Sequence, residues 1–175
     1  MRCTCRRLVF VVGGIAAVLG ASCSVQEGLL LTPRTPAPEG WSWHPCPSSD
    51  LQIIQVDTTI GPQGGTVRHP SGHSILVPEG AVSEDHVFVL IVPPSPHLEV
   101  IAQVRPSVEF PEPVMLTMSV AGRCTFPEDS LTARVFRVNR DGAHDDVGGE
   151  VTQDRTAIAV PLNRLSNYAL ATNRQ

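Results

Sequence analysis

The sequence predicts an all-β protein: an antiparallel β-sandwich of about eight to ten short strands over residues 50–175, preceded by a signal peptide and a Pro-rich tether. Three observations predict it. Short apolar or alternating runs recur from residue 51 to the C-terminus. Gly (14) and Pro (16) punctuate those runs instead of forming a low-complexity tract, as in strands joined by turns. No window carries the 3.6-residue apolar period of an amphipathic helix of useful length. Aromatic residues are only 5% of the chain, so Val, Ile, Leu and Ala must fill the core.

Residues 1–22 read as a lipoprotein signal peptide. Arg2, Arg6 and Arg7 make a cationic start, residues 8–19 (LVFVVGGIAAVL) an uncharged apolar stretch, and Gly20-Ala21-Ser22 a set of small residues before Cys23. A secretory signal needs that order: a positive end held cytoplasmic, an apolar segment in the bilayer, and small residues admitted by a peptidase. The ending Leu19-Gly20-Ala21-Ser22-Cys23 resembles a relaxed lipoprotein box, which implies lipid on Cys23 and a membrane partner through that lipid. An uncleaved anchor and ordinary secretion are the alternatives. Ser24 follows the cysteine where an Asp would suggest inner-membrane retention. The expected place is therefore the cell envelope, facing periplasm or exterior, with the outer membrane favoured if there is one.

Residues 23–49 read as the tether, with Pro33, Pro36, Pro38, Pro45 and Pro47 and no helical or alternating period. Trp41 and Trp43 lie inside it, either packed on the edge of the following domain or serving as a binding motif. Strands are then expected at 51–58, 66–67, 74–77, 86–92, 99–104, 114–120, 133–138, 149–152, 156–160 and 168–172. Ile54 breaks the alternation of the first, and the continuous run 86–92 is typical of a strand buried on both faces or nearly so.

Charge and cysteines narrow the function classes. All 13 basic residues are arginine and the formal net charge is −4. Without Arg2, Arg6 and Arg7 the processed chain keeps 10 Arg against 17 acids, a charge of about −7, with no basic cluster for a nucleic-acid backbone. Cys3 and Cys5 leave with the signal and Cys23 is expected to carry lipid, so Cys46 and Cys124 remain as an even pair for an oxidising compartment. A bridge between them is expected; two unrelated thiols are the alternative.

Candidate chemistry is sparse. His69 and His73 flank Pro70-Ser71-Gly72, a turn signal, and read as surface hairpin histidines rather than metal ligands, with His86 beyond them. The stretch Asn139-Arg140-Asp141-Gly142-Ala143-His144-Asp145-Asp146 offers oxygens, but Arg140 intrudes and no Glu closes a calcium register, so Asp-Gly reads as a turn. There is no Gly-x-Ser-x-Gly, no His-Glu-x-x-His and no phosphate-cradling Gly-rich loop before a helix. No catalytic residue, cofactor or metal is expected, and the protein reads as a non-enzyme.

The runs Gly64-Gly65-Thr66-Val67, Ser74-Ile75-Leu76-Val77-Pro78-Glu79-Gly80-Ala81-Val82 and His86-Val87-Phe88-Val89 resemble the opening of a ZU-type domain, the β-sandwich family named for zonula occludens and netrin-receptor proteins and found in ankyrins. Residues 104–110 (VRPSVEF) and 111–116 (PEPVML) resemble the family's middle, and Leu165-Ser166-Asn167-Tyr168-Ala169-Leu170 its closing strand. The resemblance covers most of residues 60–172 and implies a protein-interaction module. Some relatives cleave themselves at His-Phe-Ser; the matching residues here are Arg164-Leu165-Ser166, and arginine cannot serve as the base. The expected function is a non-catalytic protein-interaction or structural sandwich binding an unknown envelope or extracellular protein. A carbohydrate- or polymer-binding module is the nearer alternative and an envelope hydrolase the more distant one.

Overall fold

The computed structural model describes residues 36–46, 53–121, 124–126 and 132–173. The signal peptide, Cys23 and most of the expected tether lie outside the described residues. Twelve strands run in chain order: β1 (Trp41–Trp43), β2 (Ile54–Ile60), β3 (Gly65–Arg68), β4 (Ser74–Val77), β5 (His86–Val92), β6 (Glu99–Arg105), β7 (Val114–Ser119), β8 (Ala133–Val138), β9 (His144–Gly148), β10 (Glu150–Val151), β11 (Ala157–Leu162) and β12 (Asn167–Asn173). They form two sheets with antiparallel pairings. One has the order β2-β5-β6-β12-β8-β9 with β1 added on β12; the other is β10-β11-β7-β4-β3. The all-β sandwich is thus the architecture, with no helix among the described residues.

The alternation of each strand decides which sheet face it turns inward. In β2 the inward set is Ile54, Val56, Thr58 and Ile60, opposite Gln55, Asp57 and Thr59. The phase break at Ile54 thereby resolves: the strand starts there, and Ile53 is left outside it and exposed. Phe88, Leu90, Val100, Leu116, Met118, Ile158, Val160, Tyr168 and Leu170 meet between the sheets, and Phe88 stacks on Phe110 at 5.9 Å. Burying one such side chain contributes about 2 kcal/mol, so a core of branched aliphatics compensates for the few aromatics. In β5 the outward Val89 and Ile91 are buried as well, so the strand is covered on both faces.

Two turns depend on glycine. Gly64 sits at φ +72, and a Cβ there would stand 2.6 Å from the Val77 carbonyl oxygen, where the β3–β4 hairpin closes on the Pro78-Glu79-Gly80 turn. Gly148 and Gly149, at φ +83 and +115, carry the chain from β9 in one sheet to β10 in the other. A Cβ on Gly149 would meet Ile158 at 2.9 Å.

Two strands were not expected. Inside the segment expected as a tether over 23–49, before the domain expected from residue 50, β1 pairs with β12 through Trp41↔Asn173, Ser42↔Thr172 and Trp43↔Ala171. His44, Pro45 and Cys46 continue inward: His44 N–H donates to Leu170 O, Leu98 N–H to His44 O, and Cys46 N–H to Pro96 O. The second addition is β9, which forms a hairpin with β8 across the Asn139–Ala143 turn. Twelve strands therefore stand where about eight to ten were expected.

Candidate functional site

Cys46 and Cys124 lie at disulfide distance, with Cα atoms 5.2 Å apart and 78 residues between them. Cys46 follows β1 on the seven-stranded sheet, and the Cys124 N–H donates to Val120 O just beyond β7 of the other sheet. The pair thus joins the N-terminal segment to the opposite layer.

The expected surface histidines are corrected by the structure. His69 and His73 do close the β3–β4 hairpin, through His69 N–H to His73 O and Gly72 N–H to His69 O, but both rings are buried. His69 Nδ1 accepts from the Ser71 N–H and lies 2.6 Å from its hydroxyl, so its Nε2 donates to Ile54 O. His73 Nδ1 accepts from the Ser119 N–H. His86 Nδ1 lies 3.1 Å from Pro106 O. These rings pin loops to strands.

The acidic stretch after β8 is a turn. Gly142 N–H donates to Asn139 O, and Asp141 accepts from the Ala143 N–H. Asp145 Oδ2 accepts from Arg137 Nε, Arg137 Nη2 and Asn139 Nδ2, bonds that hold its carboxyl below the usual carboxylate range, the Arg137 bonds most. Its Oδ2 is thus taken up by the protein. Among the described residues no three His, Cys, Asp or Glu side chains are grouped to hold a metal ion.

Trp41 and Trp43 pack on the domain. On the outer face of the seven-stranded sheet they meet the Phe136 ring edge-on at 5.4 and 6.2 Å, above Ala169 and Ala171. Trp43 is 8% exposed. The next residue, His44, points the opposite way, 2% exposed and against Phe126 at 5.6 Å. Among the described residues neither of its ring nitrogens has a hydrogen-bond partner, and burial, then the neighbouring His97, lowers its pKa. Beside this junction Glu99 is 6% exposed and, among the described residues, bonded only by the Ser95 hydroxyl, at 2.8 Å. Burial pushes its carboxyl up to about 7. Sequence reasoning did not single out His44, His97 or Glu99, because each stands alone among apolar neighbours and its burial comes from distant strands.

Two surfaces remain as candidates. The outer face of the five-stranded sheet carries a cross-strand row, Thr66, Leu76, Met115 and Pro161, in direct register. Leu76 is 51% exposed, and no charged side chain stands on this face of β4, β7 or β11. The other is a cavity of about 530 Å3 at the crossover from β9 to β10, walled by Thr132, Arg134, Gly149, Glu150, Thr152 and Arg155 among others.

No family model matches this chain, and no curated protein matches it either.

Proposed function

We propose that this chain is a lipid-anchored, extracytoplasmic binding module: a non-catalytic, ZU-type β-sandwich held to the cell envelope by lipid on Cys23, with an envelope or extracellular protein as its partner. The observation that carries the interaction reading is the uncharged row on the five-stranded sheet. An exposed leucine in this uncharged row, on a face whose charges, Arg68 and Glu150, stand on the edge strands β3 and β10, costs solvation in a monomer and fits a protein partner that covers it. Export is supported by the cationic and apolar N-terminus and by the disulfide-distance pair Cys46–Cys124, a bond that persists in oxidising compartments. The ZU-type reading is supported by the two-sheet architecture and by the facing turns at Gly64 and Gly80.

The test has two arms. Mass spectrometry of the membrane-extracted protein should find an acylated Cys23 as the first residue; a chain still starting at Met1 overturns the anchor. The purified chain should then capture one stoichiometric protein from the source organism's envelope, and Leu76→Glu should lose it while keeping its circular dichroism. Equal capture by both proteins overturns the face. Carbohydrate or polymer binding is the second reading, and the cavity at the β9–β10 crossover favours it.

A further inference from the structure

The face that carries the Leu76 row has a second row beside it, also in direct register. Arg68 of β3 pairs with Ser74 of β4, Ser74 with Thr117 of β7, Thr117 with Ala159 of β11, and Ala159 with Glu150 of β10. Alternation turns all five outward. Their chain neighbours Val67, Ile75, Met118 and Ile158 are buried in the core, and Val151 packs against it. Ser74, Thr117 and Ala159 are small and half-buried, whereas Arg68 and Glu150 are exposed. Neither Arg68 nor Glu150 is in an ion pair among the described residues.

These residues are arranged evenly about the middle of the sheet. β7 is the central strand of five, and the two charges stand two strands to either side of it with opposite sign. Consider two copies laid face to face, related by a two-fold axis along β7. The axis exchanges β4 with β11 and β3 with β10. Arg68 of each copy then faces Glu150 of the other, and Leu76 faces Pro161, the other exposed member of its row. Met115 and Thr117 each face their own counterpart on the axis. An isologous contact needs this kind of self-complementary patch. Aligned sheets pack about 10 Å apart, a separation that the small residues of the second row permit.

We propose that the partner of this face is a second copy of the chain, held through the Leu76 row and by two symmetric Arg68–Glu150 ion pairs. The proposal rests on the reading of this face as the recognition surface and names its partner. Five strands about 4.8 Å apart and two rows about 7 Å apart give roughly 350 Å2 from each copy. About 700 Å2 in all belongs to weak, reversible contacts, so the dimer should form at concentrations on the order of 0.1 mM and above.

Sedimentation equilibrium of the purified full-length chain in excess detergent tests it, at concentrations up to the order of 1 mM. About 0.15 M salt screens the net negative charge that the copies share. Wild type should pass from one chain to two. Arg68→Glu and Glu150→Arg each place like charges at both contacts and should weaken the dimer about tenfold or more. An equimolar mixture of these two variants brings opposite charges together at both contacts again and should recover a dimer. Neither a misfolded variant nor chains sharing a micelle would give that pattern. Wild type that stays monomeric, single variants that dimerise as well as wild type, or a mixture that does not recover overturns the proposal. If the dimer fails while Leu76→Glu still loses a different captured envelope protein, the face stands without this partner.

Discussion

Replacing Glu99 with Gln should flatten the alkaline side of the protein's stability profile. Glu99 is buried at the start of β6, where it accepts the Ser95 hydroxyl, whose oxygen in turn accepts the His97 N–H at 3.1 Å. Desolvation lifts its pKa from 4.5 to about 7, so the folded state prefers the protonated acid. The favourable contribution of that proton is fully present below about pH 4.5. It declines as pH rises, and is lost once pH has passed the folded value near 7. At about 1.4 kcal/mol per pH unit, the wild type should lose roughly 3 kcal/mol from this group between pH 4.5 and pH 8.5. His44 and His97 titrate with the opposite sign. Burial lowers both, so their contribution is present above 6.5 and is lost as pH falls below it. A wild-type curve alone would therefore mix the two, whereas the difference between wild type and Glu99→Gln cancels the histidines. Gln keeps the shape and the acceptor for Ser95 and cannot ionise. Urea unfolding at pH 5 should find the variant within about 1 kcal/mol of wild type, and at pH 8.5 more stable by about 2–3 kcal/mol. Parallel curves for the two proteins would refute the reasoning, because they would mean that Glu99 ionises in the fold as easily as in the unfolded chain.

Two further outcomes are expected. Replacing both Cys46 and Cys124 with Ala should lower the unfolding free energy by about 4 kcal/mol, from the loop of 78 residues that the bond closes in the unfolded chain; thermal or urea unfolding of oxidised and variant proteins checks it, and equal midpoints would count against a bond. The chain should also stay whole on denaturing gels after long incubation. Arg164 has no basic lone pair, its guanidinium lies 3.9 Å from Glu109, and its carbonyl accepts the Tyr168 hydroxyl at 2.6 Å; a fragment beginning at Ser166, abolished by Ser166→Ala, would contradict this.

Most of the sandwich was legible because its strands are bounded by Gly and Pro and their apolar residues alternate. The two missed strands show where that signal fails. Trp41–Trp43 is short and set among prolines, so composition reads as spacer; only the register with Asn173, Thr172 and Ala171 makes it a strand. His144–Gly148 is a sheet edge with two Asp residues, the kind of charged edge that discourages further pairing and reads as loop. The cysteine pair followed from counting thiols. The burial of His69, His73 and His44 did not, since burial is set by strands far away in sequence. The cavity was illegible for the same reason: Arg134 and Glu150 line one space only because the chain changes sheets between them.

The two outer faces of the sandwich have different fates, and β1 is the cause. On the seven-stranded sheet the apolar outer residues Phe136, Ala169 and Ala171 would be an exposed patch, but the chain lays its own Trp41 and Trp43 over them. Among the described residues nothing covers the five-stranded sheet in this way, and Leu76 stays half in solvent. The covering segment is also the one that leads back toward Cys23. Cys23 lies 18 residues before Trp41, so a lipid there would be tied to the domain through this covering segment. Among the described residues the same segment therefore covers the apolar patch of one sheet and leaves the Leu76 row as the apolar row that stays in solvent.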